Sequence, residues 1–291
     1  MKVLTFADLH LRGTVPPCVN ATPTEWMEIQ EKALIKVADI ALENKVNGVY
    51  IGGDIFHSEV SCNPECVNIF LNFVNTLDIA GIKVFIMAGN HDLPGHSSTN
   101  LEKSFIGILF NHPDVHKMVE SDSYICGCNF DIDDYEGEEK IFKHVLCIPE
   151  EQKPPMVECE TPQTLLERYP LARYIFTGDY HKKFAYADNG RFVINSGCLT
   201  RQAADFEDYE TGVFVVDFAT DDVKWCPVNI SQKFVKNGNE KKTDKTIDDF
   251  ANGIQQESVT LDFIGALKNE VSKQKQPVQE KVNSWITEIG Q

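Results

Sequence analysis

Short apolar runs alternate with amphipathic stretches through the first third of the chain. Residues 3–6 form an apolar run that predicts a short buried strand, with Asp8 and His10 just past its end. Thr22-Pro23-Thr24-Glu25 then predicts a helix start: Thr22 as N-cap, Pro23 in the first turn, and Glu25 closing a capping box. Trp26, Ile29, Ala33, Val37 and Ile40 follow at spacings of three and four and define one apolar face. A second strand is predicted over 46–51, ending at Gly52-Gly53-Asp54. Asn63-Pro64 opens a second helix whose face is Val67, Phe70, Leu71, Val74 and Leu77, with Gly81 as its stop. A third strand over 82–88 ends at Gly89-Asn90-His91-Asp92. Strand–helix–strand repeats imply parallel pairing through right-handed crossovers. Sites in such sheets gather at the carboxyl ends of the strands.

The second half is richer in strands, predicted over 124–128, 141–148, 174–177, 192–195, 213–218 and 223–228. These suggest a second sheet packed on the first. The expected fold class is α/β, two sheets flanked by helices, over residues 1–230. Residues 231–246 are polar and read as a linker. Over 247–291 two further apolar stripes, Leu261-Ile264-Leu267-Val271 and Val278-Val282-Trp285-Ile289, predict a helical tail.

The 291 residues suffice for one large domain and an appendage, and 42% hydrophobic with 24% charged residues is a globular balance. No apolar run approaches the roughly 18 residues of a membrane span. The apolar run at the N-terminus is too short for a signal-peptide core, so a cytoplasmic location is expected. The nine cysteines lack paired CxxC units and are expected to be reduced thiols. A net charge of -17 argues against a broad basic surface for nucleic acid. It leaves a nuclease open, because bound cations neutralise acidic groups and a partner subunit can supply phosphate contacts.

Five segments carry candidate chemistry: Asp8-Leu9-His10, Gly52-Gly53-Asp54, Gly89-Asn90-His91-Asp92, His144, and Gly178-Asp179-Tyr180-His181. Alone, the first is a common surface accident, the second an ordinary turn, and a single His in a strand a common core residue. Three such segments in order, each after a predicted buried strand, are harder to explain as turns. Carboxylate, imidazole and amide groups together can hold two divalent cations, the arrangement that hydrolyses phosphoesters. Asp54 suits a bridging position because a carboxylate offers two oxygens. Mixed oxygen and nitrogen donors favour Mn, Fe or Zn over an all-oxygen Mg site. If Asn90 binds metal, His91 beside it is free to serve the phosphate or the leaving group. His96, His112 and His116 read as solvated loop residues.

In this order the motifs resemble the calcineurin-like metallophosphoesterase family. Gly53-Asp54-Ile55-Phe56-His57-Ser58 and Ser196-Gly197-Cys198-Leu199-Thr200-Arg201-Gln202, with the strand 212–217 after it, resemble the SbcD-type DNA-repair exonuclease branch. The resemblance implies a two-sheet sandwich binding two divalent metals, with Mn preferred and Mg, Fe or Zn as alternatives. It makes Asp8, His10 and His181 terminal ligands of one metal, Asn90, His144 and Asp179 those of the other, and Asp54 the bridge. His91 would donate a proton to the departing oxygen, His57 would steer the scissile phosphate, and Arg201 and Gln202 would contact substrate. Two departures stand out: Asp179 replaces the first His of the usual GHxH motif, and Ser196 replaces a Pro. The implied function is a metal-dependent DNA nuclease beside an SbcC/Rad-type coiled-coil ATPase, with a homodimer left open. A phosphatase or cyclic-nucleotide phosphodiesterase on the same scaffold is the alternative, and a non-catalytic interaction protein with a degraded site the third.

Overall fold

In the first sheet, side chains sort strictly by parity. In β1 (Lys2–Phe6), Leu4 and Phe6 face one way and Val3 the other. A computed structural model describes residues 1–58, 62–118, 125–131, 137–154 and 157–235. After β1 comes α1 (Pro23–Asn44), whose capping box between Thr22 and Glu25 is formed. Trp26, Ala33, Val37 and Ile40 are buried as the spacing predicts. β2 (Gly48–Ile51), α2 (Pro64–Ile79) and β3 (Lys83–Ile86) complete the repeat, with Asn63 capping α2 through its side chain. β1, β2 and β3 pair in parallel, as expected.

Two elements then escaped the sequence pattern. α3 (Phe105–Phe110) has only six residues, and β4 (Val115–Lys117) only three. β4 extends the sheet in parallel next to β3, so His116 lies in a strand, tilted against the Phe85 ring, and not in a loop. β5 (Cys126–Gly127) and β6 (Lys140–His144) are shorter than the apolar runs that predicted them. α4 (Pro162–Arg168), β7 (Tyr174–Gly178), β8 (Phe184–Asp188) and β9 (Arg191–Asn195) follow, of which α4 and β8 were not foreseen. β10 (Gly212–Asp217) and β11 (Asp222–Pro227) end the series.

One grouping is corrected. β10 pairs antiparallel with β1, so β10 and β11 belong to the first sheet and not the second. The six-stranded sheet runs β11-β10-β1-β2-β3-β4 and the five-stranded one β5-β6-β7-β9-β8. Three cores result. Leu4, Val49, Ile51, Val84, Val213 and Val215 pack with α1, α2 and α3 residues. Val3, Tyr50, Phe85, Phe142, Phe176, Ile194 and Phe214 fill the space between the sheets. Ile141, Ile175 and Val193 meet Leu165 and Leu166 of α4. This is a two-sheet sandwich with helices on both outer faces, held by alternation along each strand.

The domain runs to Val235. Val19 bridges Phe234, Asn20 N–H donates to the Lys233 carbonyl, and Val235 N–H donates to the Cys18 carbonyl. The first residues of the predicted linker are therefore held to the fold. The predicted tail over 247–291 lies outside the described residues. No disulfide joins cysteines among the described residues. Among the described residues no helix is long and apolar enough to cross a membrane.

Candidate metal centre

The carboxyl ends of β1, β2 and β3 deliver three loops to one place, and the ends of β6 and β7 deliver two more from the opposing sheet. The loop after β1 runs beside the loop after β2. Asp8 N–H donates to the Gly53 carbonyl, His10 N–H to Asp54, Leu11 N–H to Ile55, and His57 N–H back to Leu11. The chain pays for these aims in backbone strain: Asp8, His10, Asp54 and Asp179 all have positive φ, at 54°, 48°, 52° and 79°. Such values in residues with a Cβ mark sites where the surrounding structure over-determines the backbone. Gly89 is required for a different reason. A Cβ there would lie 2.2 Å from Asp54 Oδ1.

The described side chains form three overlapping groups whose ligand atoms lie within 4.8 Å of one another: Asp8 with His10 and His181, Asp8 with Asp54 and His144, and His10 with His57 and His91. Asp8, His10, Asp54 and His144 are buried. His10 Nε2 lies 3.0 Å from His181 Nε2 and 3.6 Å from Asp54 Oδ2. His144 Nε2 lies 3.0 Å from Asn90 Oδ1 and 3.4 Å from Asp54 Oδ2. Asn90 and His144, separate in sequence, are thus neighbours across the two sheets. His144 Nδ1 sits 2.7 Å from the Gly52 carbonyl. A carbonyl only accepts, so that nitrogen carries the proton and Nε2 is the one turned to the centre.

Electrostatics mark the same cluster. Burial pushes the Asp8 carboxyl up to about 6, against the pull of His144 and His181. Burial also pushes Asp54 up, but the charges of His144, His10 and His91 outweigh it and hold Asp54 well below the usual carboxylate range. Burial alone would lower His144; Asp54, Asp8 and Asp179 reverse this and raise it to about 10. His10 is held well below its ordinary value, first by burial.

A divalent cation fits this donor set. Asp54 Oδ2 is buried without a hydrogen-bond partner, a costly state for a carboxylate oxygen that positive charge relieves. His10 and His181 present nitrogens to each other, and Asp54 Oδ2 faces the imidazoles of His10 and His144. Asp179 behaves differently from its neighbours. Its backbone N–H donates to both Asp8 oxygens, at 2.9 and 3.1 Å, while its carboxylate is not part of the three groups.

His91 is tied at two points. Its N–H donates to Asp54 Oδ1 at 2.9 Å, and its Nδ1 lies 2.7 Å from the His57 carbonyl. The His57 and His91 rings stack with centroids 5.4 Å apart. A cleft with roughly 130 Å³ of room opens beside them, lined by His10, Arg12, His57, His181, Gln202 and Phe206 among others. Gln202 reaches it, donating to the His10 carbonyl at 3.1 Å with its Oε1 buried and unpartnered. Arg201 does not. Its guanidinium is committed to the carbonyls of Glu207 and Ile230 and to Gln232 Oε1, so it clamps the loop onto residues 230–232.

Asp92 was present in the sequence motif without a role. It is buried and accepts from Ile55 N–H at 3.2 Å, Phe56 N–H at 2.8 Å and Gly89 N–H at 3.0 Å. It therefore splices the loop after β2 to the loop after β3. Burial and then Asp54 raise its carboxyl to about 7. The only sequence signal for it was its place at the end of Gly89-Asn90-His91-Asp92.

The chain is similar to two proteins named DNA double-strand break repair protein Mre11. That of Nanoarchaeum equitans is 33% identical over 86 residues, covering 30% of this chain and 22% of that protein. That of Methanocaldococcus jannaschii is 25% identical over 203 residues, covering 62% of this chain and 54% of that protein. The chain thus spans about a fifth and about half of these relatives. Among solved structures, TT1561 of Thermus thermophilus is similar at 11% identity with a TM-score of 0.47, over 78% of this chain and 99% of that one. Residues 1–194, which hold every candidate ligand, match the calcineurin-like phosphoesterase family, whose members use a dinuclear divalent metal centre. The chain belongs to the calcineurin-like phosphoesterase family.

Proposed function

We propose that this phosphoesterase is a DNA nuclease that hydrolyses phosphodiester bonds with two divalent cations, Mn preferred, as the catalytic subunit of an SbcCD-like repair complex. The observation that carries the phosphodiesterase chemistry is the pairing of His91 with Asp54: one imidazole is held beside the cluster by its backbone and by Nδ1, leaving Nε2 uncommitted. Support for DNA as substrate comes from the likeness to the two Mre11 proteins and from the SbcD-type segments around His57 and Gln202.

In this reading Asp8, His10, His181 and Asp54 would hold one cation, and Asp54, Asn90, His144 and Asp179 the other. The chemistry supplied there by bound cations would be an acidified water and charge neutralisation for the phosphate. The chain's own groups do the rest. His91 Nε2 delivers a proton to the departing oxygen. His57 lines the cleft, with its Nδ1 buried and unpartnered, and hydrogen-bonds a phosphate oxygen. Gln202 fixes the His10 backbone and offers Oε1 to the cleft. A coiled-coil ATPase partner would add the DNA contacts that a chain of net charge -17 does not spread over its surface.

The test uses the purified full chain loaded with Mn, given labelled single- and double-stranded DNA, a chromogenic phosphodiester and a phosphomonoester in parallel. Cleavage of DNA and of the diester is expected, with little monoester turnover. Hydrolysis of the monoester alone would overturn the nuclease reading in favour of a phosphatase. Turnover of none of them, with metal bound, would favour a non-catalytic role.

A further inference from the structure

Arg12 lies two residues past His10 and is fixed in place by the protein core. Its N–H donates to Gln30 Oε1 at 2.9 Å, and its carbonyl accepts from Trp26 Nε1 at 3.0 Å and from Gln30 Nε2 at 2.9 Å. Trp26 and Gln30 are fully buried on α1. A loop residue held by two fully buried side chains is pre-organised, not adrift. Its guanidinium is treated differently. Only Nε makes a hydrogen bond within the described residues, to Thr14 Oγ1 at 3.1 Å. No carboxylate pairs with it there, although the chain carries 44 Asp and Glu against 27 Lys and Arg. In so acidic a protein, an arginine held without a carboxylate beside a cleft is a site for an anion from outside.

The side chain lines the same cleft as His10, His57, His181, Gln202 and Phe206. It stands outside the three ligand groups, beside His57, whose imidazole is lowered to about 4 by burial and then by the Arg12 charge. The scissile phosphate is already provided for by the metal ligands, His91 and His57. A planar guanidinium next to them matches a second phosphate in the same strand, which it can grip through two parallel N–H donors. The ordinary alternative is a surface arginine held by Thr14 alone. It gives no role to a guanidinium that lines the cleft from a backbone fixed by Trp26 and Gln30.

We infer that Arg12 binds the phosphate next to the scissile one, making the cleft select a polynucleotide strand over an isolated diester. This rests on the phosphodiesterase reading above. It assigns Arg12, in place of the inward-clamped Arg201, as the arginine that meets substrate.

The experiment compares the metal-loaded wild-type chain with Arg12→Gln and Arg12→Lys. Three quantities are read: kcat/KM for a chromogenic diester with one phosphate, kcat/KM for a 5′-phosphorylated oligothymidylate, and the inhibition constant of that oligothymidylate against diester hydrolysis. In Arg12→Gln the oligonucleotide-to-diester ratio of kcat/KM should fall about tenfold or more, mainly through KM, and the inhibition constant should rise similarly. Arg12→Lys should recover part of both, because the charge returns without the planar fork. A ratio and an inhibition constant within twofold of wild type would overturn the assignment. So would an equal fall on both substrates with metal retained, which would place Arg12 on the scissile phosphate. If the wild-type chain hydrolyses the diester but not the oligonucleotide, the nuclease reading fails, and the inhibition constant still decides Arg12. Should Arg12→Gln fail to fold, Arg12→Lys carries the comparison.

Discussion

Asp54 Oδ1 accepts the backbone N–H of His91 at 2.9 Å, while Oδ2 of the same carboxylate faces His10 and His144 at 3.6 and 3.4 Å. One side chain therefore divides its two oxygens between the proposed proton donor, His91, and one histidine from each half of the proposed metal centre, His10 and His144. Binding and chemistry are coupled through a single residue, and substitutions there should not separate them.

Asp54→Ala should accordingly lose both cations. Metal analysis of the Mn-loaded wild-type chain should approach two ions per chain, and that of the variant should fall below one. Asp54→Asn keeps an acceptor for His91 but loses the charge, so it too should lose metal. Full metal content in either variant would refute the bridging role.

His91→Ala should keep both cations and the fold, while turnover of a diester drops by roughly 10²- to 10⁴-fold, the range of a lost general acid. The backbone N–H that meets Asp54 survives this substitution, so the proposed bridging ligand is not disturbed. Loss of a cation in His91→Ala would make it a ligand instead.

The strand-end motifs were legible because each closes an apolar run, and topology alone sends the ends of parallel strands to one place. What carried less signal is instructive. β10 joins β1 by antiparallel pairing across most of the chain, and no local pattern encodes that partner. The positive φ of Asp8, His10 and Asp54 is imposed by the neighbouring loops rather than by the residue types. Motif likeness named Arg201 and Gln202 together, but only packing shows that one clamps the loop and the other reaches the cleft. Asp92 and Arg12 are placed by contacts that no local pattern encodes: Asp92 joins distant Ile55 and Phe56 to nearby Gly89, and the Arg12 backbone is held by Trp26 and Gln30.

Asp92→Ala should therefore cost more than its position beside the centre suggests. Three N–H donors would lose their acceptor in a buried setting, at least about 3 kcal/mol together. For a domain of this size that is a drop of roughly 6–12 °C in melting temperature. Metal content should fall with it, because the loops carrying Asp54 and Asn90 lose their splice. A melt unchanged from wild type would show that those donors find other partners.

Asp179 poses a sharper question, because its backbone already serves Asp8 whatever its side chain does. As the proposed ligand of the second cation, Asp179→Ala should retain one ion and lose the other. Asp179→His should retain both and shift preference toward Zn or Fe, for which imidazole is the better donor. Metal competition measured on the two variants checks this. Unchanged content and activity in Asp179→Ala would mean that the second cation is held by Asp54, Asn90 and His144 without it.

The last prediction concerns the chain beyond the domain. Residues 232–235 belong to the fold, since Gln232 pairs with the Arg201 backbone and Val235 with Cys18. A cut after Val235 therefore keeps every contact described for the domain, whereas one at residue 230 would release the Arg201 clamp. The truncated chain should melt near the full-length value, bind two cations, and hydrolyse a small diester at a comparable rate. The two apolar stripes from Leu261 and Val278 onward are proposed to dock on the coiled-coil base of the ATPase partner, each laying one helix face into a groove between helices. Truncation should then abolish co-purification with that ATPase and ATP-stimulated cleavage of duplex DNA. If the truncated chain instead precipitates or loses basal hydrolysis, those stripes pack on the phosphoesterase itself, and the ATPase must be met by another surface.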